Sequence, residues 1–554
     1  MRTYKELADL IFPDIKDTIE DLEKRYPERN LPEGAEVTRF APSPTGFLHT
    51  GSLFTTLIGQ KIAKQSNGVF YTRLEDTDTK REIAGSGQVL LDQLKVFGVF
   101  PNEGYLGDHS EGNYGPYIQS QREDIYKIVI KVLLEQGKAY PCFCTREDLD
   151  ILRKSQEEKK LIPGYYGEHA KCRFLTTDEQ YDKIVAGVPF VIRFRSSGNH
   201  ENKVSVHDLV RGDLELSQND QDIVIYKSDG LPTYHFAHLV DDHFMRTTIV
   251  TRGEEWLPSL PIHIELFETM GWKAPKYAHL PVIMKTENGV KRKLSKRKDK
   301  EAATSFFLEE GYPAFALKQY LFTIANSNYE EWQIANPDLS FEDFTLSFDK
   351  MSLFGALFDN EKLKFFAREY FGKMRGNELK DFVKEWAKEY NEEVYNLIVR
   401  DEDFFARILD IEKDKPNPRK DYATCSEILP KISFMFDEYY EEIMKKELPW
   451  NPNMPKDVIV SVLKDFIDTL DFSKGEQEWF NGLKELGLRH KFAESGKIYK
   501  ANKDAYIGQV GDVAEMVRIS LSGSKQSPNI FYVLNILGTE KVKRRIELAI
   551  SLLK

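Results

Sequence analysis

The residues best suited to chemistry lie in two short strings far apart in the chain. In the first, Pro42, Pro44 and Gly46 shape a tight turn ahead of His49 and Gly51, which stand where a helix should begin. A helix start offers free N–H groups and a partial positive charge, and both suit the phosphates of a nucleotide. Gly51 has no Cβ, so an adenine or ribose could lie flat on its backbone. His49 could donate a hydrogen bond to a phosphate as charge shifts during displacement at the α-phosphorus. A capping histidine followed by a turn glycine would read the same way. The second string is Lys293-Leu294-Ser295-Lys296-Arg297, inside the segment Lys285–Lys300, which carries eight Lys/Arg against two acids. A mobile loop with Lys293 and Lys296 can close on β- and γ-phosphates and stabilise departing pyrophosphate. A solvated basic loop is the plainer alternative. Lys350-Met351-Ser352 begins a similar string but continues Leu-Phe-Gly with no second lysine, and it reads as structural.

Cysteine supplies a third candidate. Cys142, Cys144 and Cys172 are close together, and Cys425 stands alone. Four cysteines cannot staple 554 residues, so the cluster points to a metal before it points to oxidation.

The elements that must position these residues are legible around the first string. Val37 to Ala41 reads as a short strand entering the proline loop, and a helix runs from about Ser52 to Gln65. After Asn67-Gly68 a second strand, V-F-Y-T-R-L, ends in the acidic turn E-D-T-D. This is a βαβ unit, hence a parallel sheet with a right-handed crossover, and ligands of such sheets sit at the carboxyl ends of the strands. Residues 116–231 mix helical and β-like stretches and read as an insertion into that sheet domain. Strands return at T-T-I-V-T-R and L-P-V-I-M, and from about Glu301 the pattern is almost wholly helical. Residues 1–34 form a helical preface and linker. The chain is too long for one core. Its net charge, 77 − 89 = −12, does not advertise nucleic-acid binding, though local patches decide steering. No apolar run spans a bilayer and no secretion signal is visible, so a cytoplasmic location and no membrane partner are expected.

Taken together, R-F-A-P-S-P-T-G-F-L-H-T-G and K-L-S-K-R resemble the two signature motifs of class I aminoacyl-tRNA synthetases. R-L-E-D-T-D, S-D-G-L-P-T-Y-H-F-A-H-L-V-D-D-H and R-G-E-E-W resemble the glutamyl/glutaminyl branch, and the helical carboxyl half resembles its bacterial glutamyl type. Only residues 1–34 look unlike the family. The resemblance implies an α/β fold: a Rossmann-like parallel-sheet catalytic domain (35–115 and 232–284) with an α+β insertion for the acceptor end (116–231). A stem-contact domain with the K-L-S-K-R loop (285–370) and an all-helical anticodon-binding region (371–554) follow. It further implies that His49, Gly51, Lys293 and Lys296 are catalytic, and that ATP with Mg²⁺ is held by Thr45, His49, Gly51, Ser295 and Lys296. Glutamate would be held by Arg39, Ala41, Ser43, Glu75, Tyr234, His238 and Arg252. Glu75 would receive the α-amino group, and the Arg252 fork would pair with the side-chain carboxylate. A helix-capping Glu75 and a surface ion-pairing Arg252 are the plainer alternatives.

Cys142, Cys144 and Cys172 resemble the zinc site of some bacterial members, where the fourth ligand often follows the last cysteine. Phe174 stands there and cannot ligate, so His169 is the expected substitute, with Tyr165 and Tyr166 next. Three reduced structural cysteines are the alternative. His238 stands where some members carry Asn or a small residue. The expected reaction is ATP-dependent ligation of L-glutamate to the 3′ end of tRNA-Glu through glutamyl-adenylate, by a monomer. A glutaminyl enzyme and a non-catalytic tRNA-binding paralogue are the competing readings.

Overall fold

The structure is a computed structural model that describes residues 2–44, 46–78, 83–295, 297–337, 339–471, 473 and 475–553. Its centre is the strand Val37–Phe40, buried along its whole length and paired in parallel with Val69–Thr72, Val37 opposite Val69. The crossover between them is the helix Thr50–Gln65. This helix lies so close to the sheet that a Cβ on Gly59 would come within 2.9 Å of Thr251 Oγ1, and Thr38 donates a 2.8 Å hydrogen bond to the Gly59 carbonyl. Glu103–Tyr105 continues the sheet in parallel beyond Val69–Thr72. On the other side of Val37–Phe40, the Thr248 N–H donates to the Val37 carbonyl at 2.9 Å, which brings in Ile249–Gly253. That strand pairs in parallel with Lys276–Leu280. The chain therefore steps outward in opposite directions from two central strands. The crevice at their carboxyl ends is where a doubly wound sheet binds ligands.

One element departs from the sequence reading. The hairpin Lys203–Asp208 and Gly212–Ser217 falls within the expected insertion, 116–231, yet its first strand joins the catalytic sheet, Asp208 opposite Tyr277. The rest of that segment builds its own antiparallel sheet from Ala139–Cys142, Val191–Phe194 and Val224–Tyr226.

Residues before the first strand form two helices, Tyr4–Ile11 and Ile19–Arg25, each opened by a capping box, Thr3 with Glu6 and Thr18 with Asp21. Ala8, Phe12, Leu22 and Tyr26 enter one core with Tyr126, Val129 and Leu133 of the helix Glu123–Glu135. Arg2 pairs with Asp182 at 2.8 Å, and Glu23 with His243 at 2.8 Å.

The K-L-S-K-R string leaves the end of a β-hairpin, Ile283–Glu287 with Val290–Lys293. The chain divides into two compact units, Met1–Phe306 with Lys318–Asp359, and Phe307–Leu317 with Asn360–Lys554. The second unit is helical around its own core, which includes Leu379, Phe405, Val462, Val517 and Ile546. Among the described residues beyond 370, the strands are two short ones, Phe492–Ala493 and Gly508–Gln509. No helix among the described residues is long and apolar enough to cross a membrane.

Candidate functional site

The sheet crevice holds a cavity of about 210 Å³. Arg39 reaches it from the first strand, and Ala41 and Ser43 from the loop that follows. Gly51 and Thr55 come from the crossover helix, Glu75 from beyond the second strand, and Tyr234 and Arg252 from the other half of the sheet domain. Seven residues expected from the sequence thus meet around one space. Trp256, in the turn Glu254–Ser259, closes it with its ring centroid 4.5 Å from that of Tyr234. The string R-G-E-E-W contained that tryptophan, but nothing in its type or spacing marked it as a wall. His238 does not line the cavity. It is fully buried beneath it, with Nε2 3.0 Å from the Tyr277 hydroxyl and Nδ1 2.7 Å from Asp242.

Charge in the crevice is organised by residues that the sequence reading passed over. Arg73 is fully buried and donates to Asp242 at 2.8 Å and to Glu75 at 3.0 Å, while Arg39 lies 3.3 Å from Asp242. Pairing of this kind offsets much of the cost of burying such charges. Burial pushes the Glu75 carboxyl up, and the Arg73 and Arg39 charges pull against it. Glu75 is therefore no helix cap but a buried carboxylate facing the cavity.

Arg252 is buried as well, and its neighbours are two imidazoles, the Tyr277 ring, 4.9 Å from the guanidinium carbon, and the Tyr234 side chain, with no carboxylate among them. Nε donates to His279 Nε2 at 2.9 Å, Nη1 to His263 Nδ1 at 3.2 Å, and Nη2 has no hydrogen-bond partner among the described residues. Burial drives the surrounding histidines towards the neutral form: His235 and His238 are lowered to about 4, and His263 well below its ordinary value. No Asp or Glu among the described residues forms an ion pair with Arg252, which excludes a surface ion-pair role.

A second, apolar cavity of about 50 Å³ shares Gly51, Thr55 and Gly253 with the first. Its walls include His49, Phe54, Val282, Ile283, Lys293 and Leu294. His49 is the N-cap residue of the helix Thr50–Gln65, and its side chain makes no capping bond to that helix. Lys293 Nζ lies 3.3 Å from Glu255. The Ser295 N–H donates to Asp299 at 2.8 Å, and Arg292 grips the same carboxylate with two nitrogens, at 2.6 and 2.8 Å. Asp299 thus ties Arg292, just ahead of the K-L-S-K-R string, to Ser295 at its middle. Thr45 and Lys296 lie outside the described residues.

The thiols of Cys142, Cys144 and Cys172 lie within 4.8 Å of one another and form no disulfide. His169 is not in this group; its ring packs edge-on against Tyr166. The polar atom that faces the sulfurs is the Tyr165 hydroxyl, 3.5 Å from Cys142 Sγ and 3.3 Å from Cys144 Sγ. Tyr165 holds that place because the Cys172 N–H donates to its oxygen at 3.0 Å.

Residues 36–365 match the catalytic domain of tRNA synthetases class I (E and Q), and residues 504–550 match an anticodon binding domain. The chain is 45% identical to a glutamate–tRNA ligase of Clostridium beijerinckii over 98% of its own length and 99% of the relative's. It is 46% identical to a glutamate–tRNA ligase of Clostridium perfringens, over 98% and 100%. Among solved structures, a glutamate tRNA ligase from Elizabethkingia meningosepticum in complex with its amino acid superposes with a TM-score of 0.73 at 30% identity, covering 94% of this chain and 100% of that one. The chain belongs to the class I tRNA synthetases, in the glutamate–tRNA ligase family.

Proposed function

We propose that this protein joins L-glutamate to the 3′ end of tRNA-Glu in two steps. The glutamate α-carboxylate attacks the α-phosphorus of ATP, giving glutamyl-adenylate and pyrophosphate; the terminal 2′-hydroxyl then attacks the acyl carbon and AMP leaves. Class I synthetases use ATP with Mg²⁺. The observation that carries the choice of amino acid is Arg252, a buried guanidinium with imidazole neighbours and an unpartnered nitrogen. Such a site favours a carboxylate over an amide, because only the anion compensates the buried charge. Glu75 suits the α-amino group and Tyr234 the body of the substrate. The apolar cavity suits an adenine, with His49, Lys293 and Lys296 serving the phosphates. Rate comes from positioning and charge stabilisation, with no covalent enzyme intermediate. We assign the acceptor end to the insertion and the anticodon to the helical unit, and the reading carries with it a cytoplasmic monomer.

Purified protein given ATP, Mg²⁺ and labelled glutamate or glutamine, with tRNA-Glu and tRNA-Gln offered separately, tests the reading. Glutamate on tRNA-Glu is expected. Glutamine on tRNA-Gln, or no charging at all, would overturn it.

The three thiols and the Tyr165 hydroxyl fit a four-coordinate structural zinc, their sulfurs already gathered without a disulfide. Metal analysis should find about one zinc per chain, and chelation should lower the melting temperature. Tyr165→Phe should loosen the metal, whereas His169→Ala should leave it bound; the reverse pattern would refute the ligand set.

A further inference from the structure

Arg39, Arg73 and Arg122, all buried in the same unit, each reach an aspartate. Arg252 instead reaches His279 and His263. We propose that His263 and His279 are positioning residues for amino-acid selection: as imidazole acceptors they fix two nitrogens of Arg252 and leave the third, with its charge uncompensated, for the substrate's side-chain carboxylate. The inference rests on the glutamate reading above.

Hydrogen-bond roles here are forced. A guanidinium can only donate, so His279 Nε2 and His263 Nδ1 must both accept, and each ring carries its proton on the other nitrogen. Both of those nitrogens have a partner. His279 Nδ1 lies 2.6 Å from Asp208, whose carboxylate also takes the Val210 N–H at 3.0 Å, and His263 Nε2 lies 3.0 Å from His235 Nδ1. Backbone geometry fixes the same parts. Arg252 and His279 are register partners on neighbouring parallel strands, and the His263 ring packs 4.2 Å from that of His238. A carboxylate in place of either imidazole would neutralise Arg252 before substrate arrived. An imidazole supplies the same hydrogen bond and leaves the charge.

The test compares His263→Phe, which keeps bulk and removes the acceptor, with His263→Gln, which restores an acceptor oxygen. Loss of one buried partner should raise the KM for glutamate about 10- to 100-fold. The KM for ATP should stay within about twofold, and the preference for glutamate over glutamine in kcat/KM should narrow; His263→Gln should recover most of the loss. His279→Phe and His279→Gln make the same comparison independently, should either His263 variant fail to fold. Placed in an Arg252→Gln background, His263→Phe should add little, because it acts through Arg252. An unchanged glutamate KM, a Gln variant as damaged as the Phe variant, or a full additive loss in that background would overturn the proposal. Unsubstituted protein that does not charge glutamate would sink the functional reading instead; charging with a silent His263→Phe sinks this inference alone.

Discussion

A methyl group on residue 51 would meet only the ring of His49, at 3.9 Å. The protein itself does not require glycine there; on the function proposed above, the nucleotide does. Gly51→Ala should therefore fold as well as the parent or gain up to about 1 kcal/mol of helix stability, while the KM for ATP rises at least about tenfold for want of room. Steady-state kinetics and a melting curve separate the two effects. The buried histidines make a different prediction. His235 and His238 are held neutral, at about 4, yet each regains an ordinary value near 6.5 on unfolding. Between those values the unfolded chain binds more protons, so stability falls as pH drops below 6.5 and the loss levels off near 4. The slope is at most about 1.4 kcal/mol per pH unit for each histidine. Denaturant midpoints measured from pH 7 to 4.5 should show the decline, and His238→Asn should make it shallower. A flat profile across that window would contradict the assignment.

At the scale of elements, Asp299 decides how the K-L-S-K-R string is presented. Asp299→Ala would remove the carboxylate that Arg292 and the Ser295 N–H share, leaving Arg292 on Glu287 alone among the carboxylates. Turnover should fall about tenfold or more with little change in melting temperature or in affinity for tRNA; equal losses in turnover and tRNA binding would refute a role confined to the loop. The sequence reading reached the string and its lysines but not this clamp, because an aspartate among basic residues reads as a solvated charge. Local signals carried further elsewhere. The alternation in Val37 to Ala41 and the Asn67-Gly68 turn located the first two strands of the sheet, and the family resemblance named seven residues that meet around one cavity. What stayed hidden depends on partners distant in sequence. Arg73 reads as the end of a strand until Asp242 is brought beside it. His169 is nearer to Cys172 in sequence than Tyr165, but the chain turns the tyrosine towards the thiols. The hairpin at Lys203–Ser217 looks like part of an insertion, and only its pairing with Lys276–Leu280 shows otherwise.

For the whole molecule, the two helices before the first strand are part of the fold and not an appendage. The catalytic family match begins at residue 36, but Ala8, Phe12, Leu22 and Tyr26 lie in the core of the first unit. Removing them would forfeit on the order of several kcal/mol of apolar burial. A chain beginning at residue 35 should therefore melt well below the parent, by more than about 10 °C, or fail to accumulate; calorimetry of the two forms decides, and matching curves would show the segment to be dispensable. The hairpin Lys203–Ser217 limits the molecule in another way. Asp208 on that hairpin bonds His279, which bonds Arg252, so the stretch between the two catalytic halves is no free-standing cassette. A chimera that exchanges residues 116–231 as a block between relatives would replace Asp208, and with it the acceptor that holds His279, by whatever residue the relative carries there. On the function proposed above, inheritance of tRNA docking and of amino-acid choice is thereby linked through one strand: a crossover before Lys203 spares Asp208 but parts Val224–Tyr226 from the other strands of the insertion's own sheet.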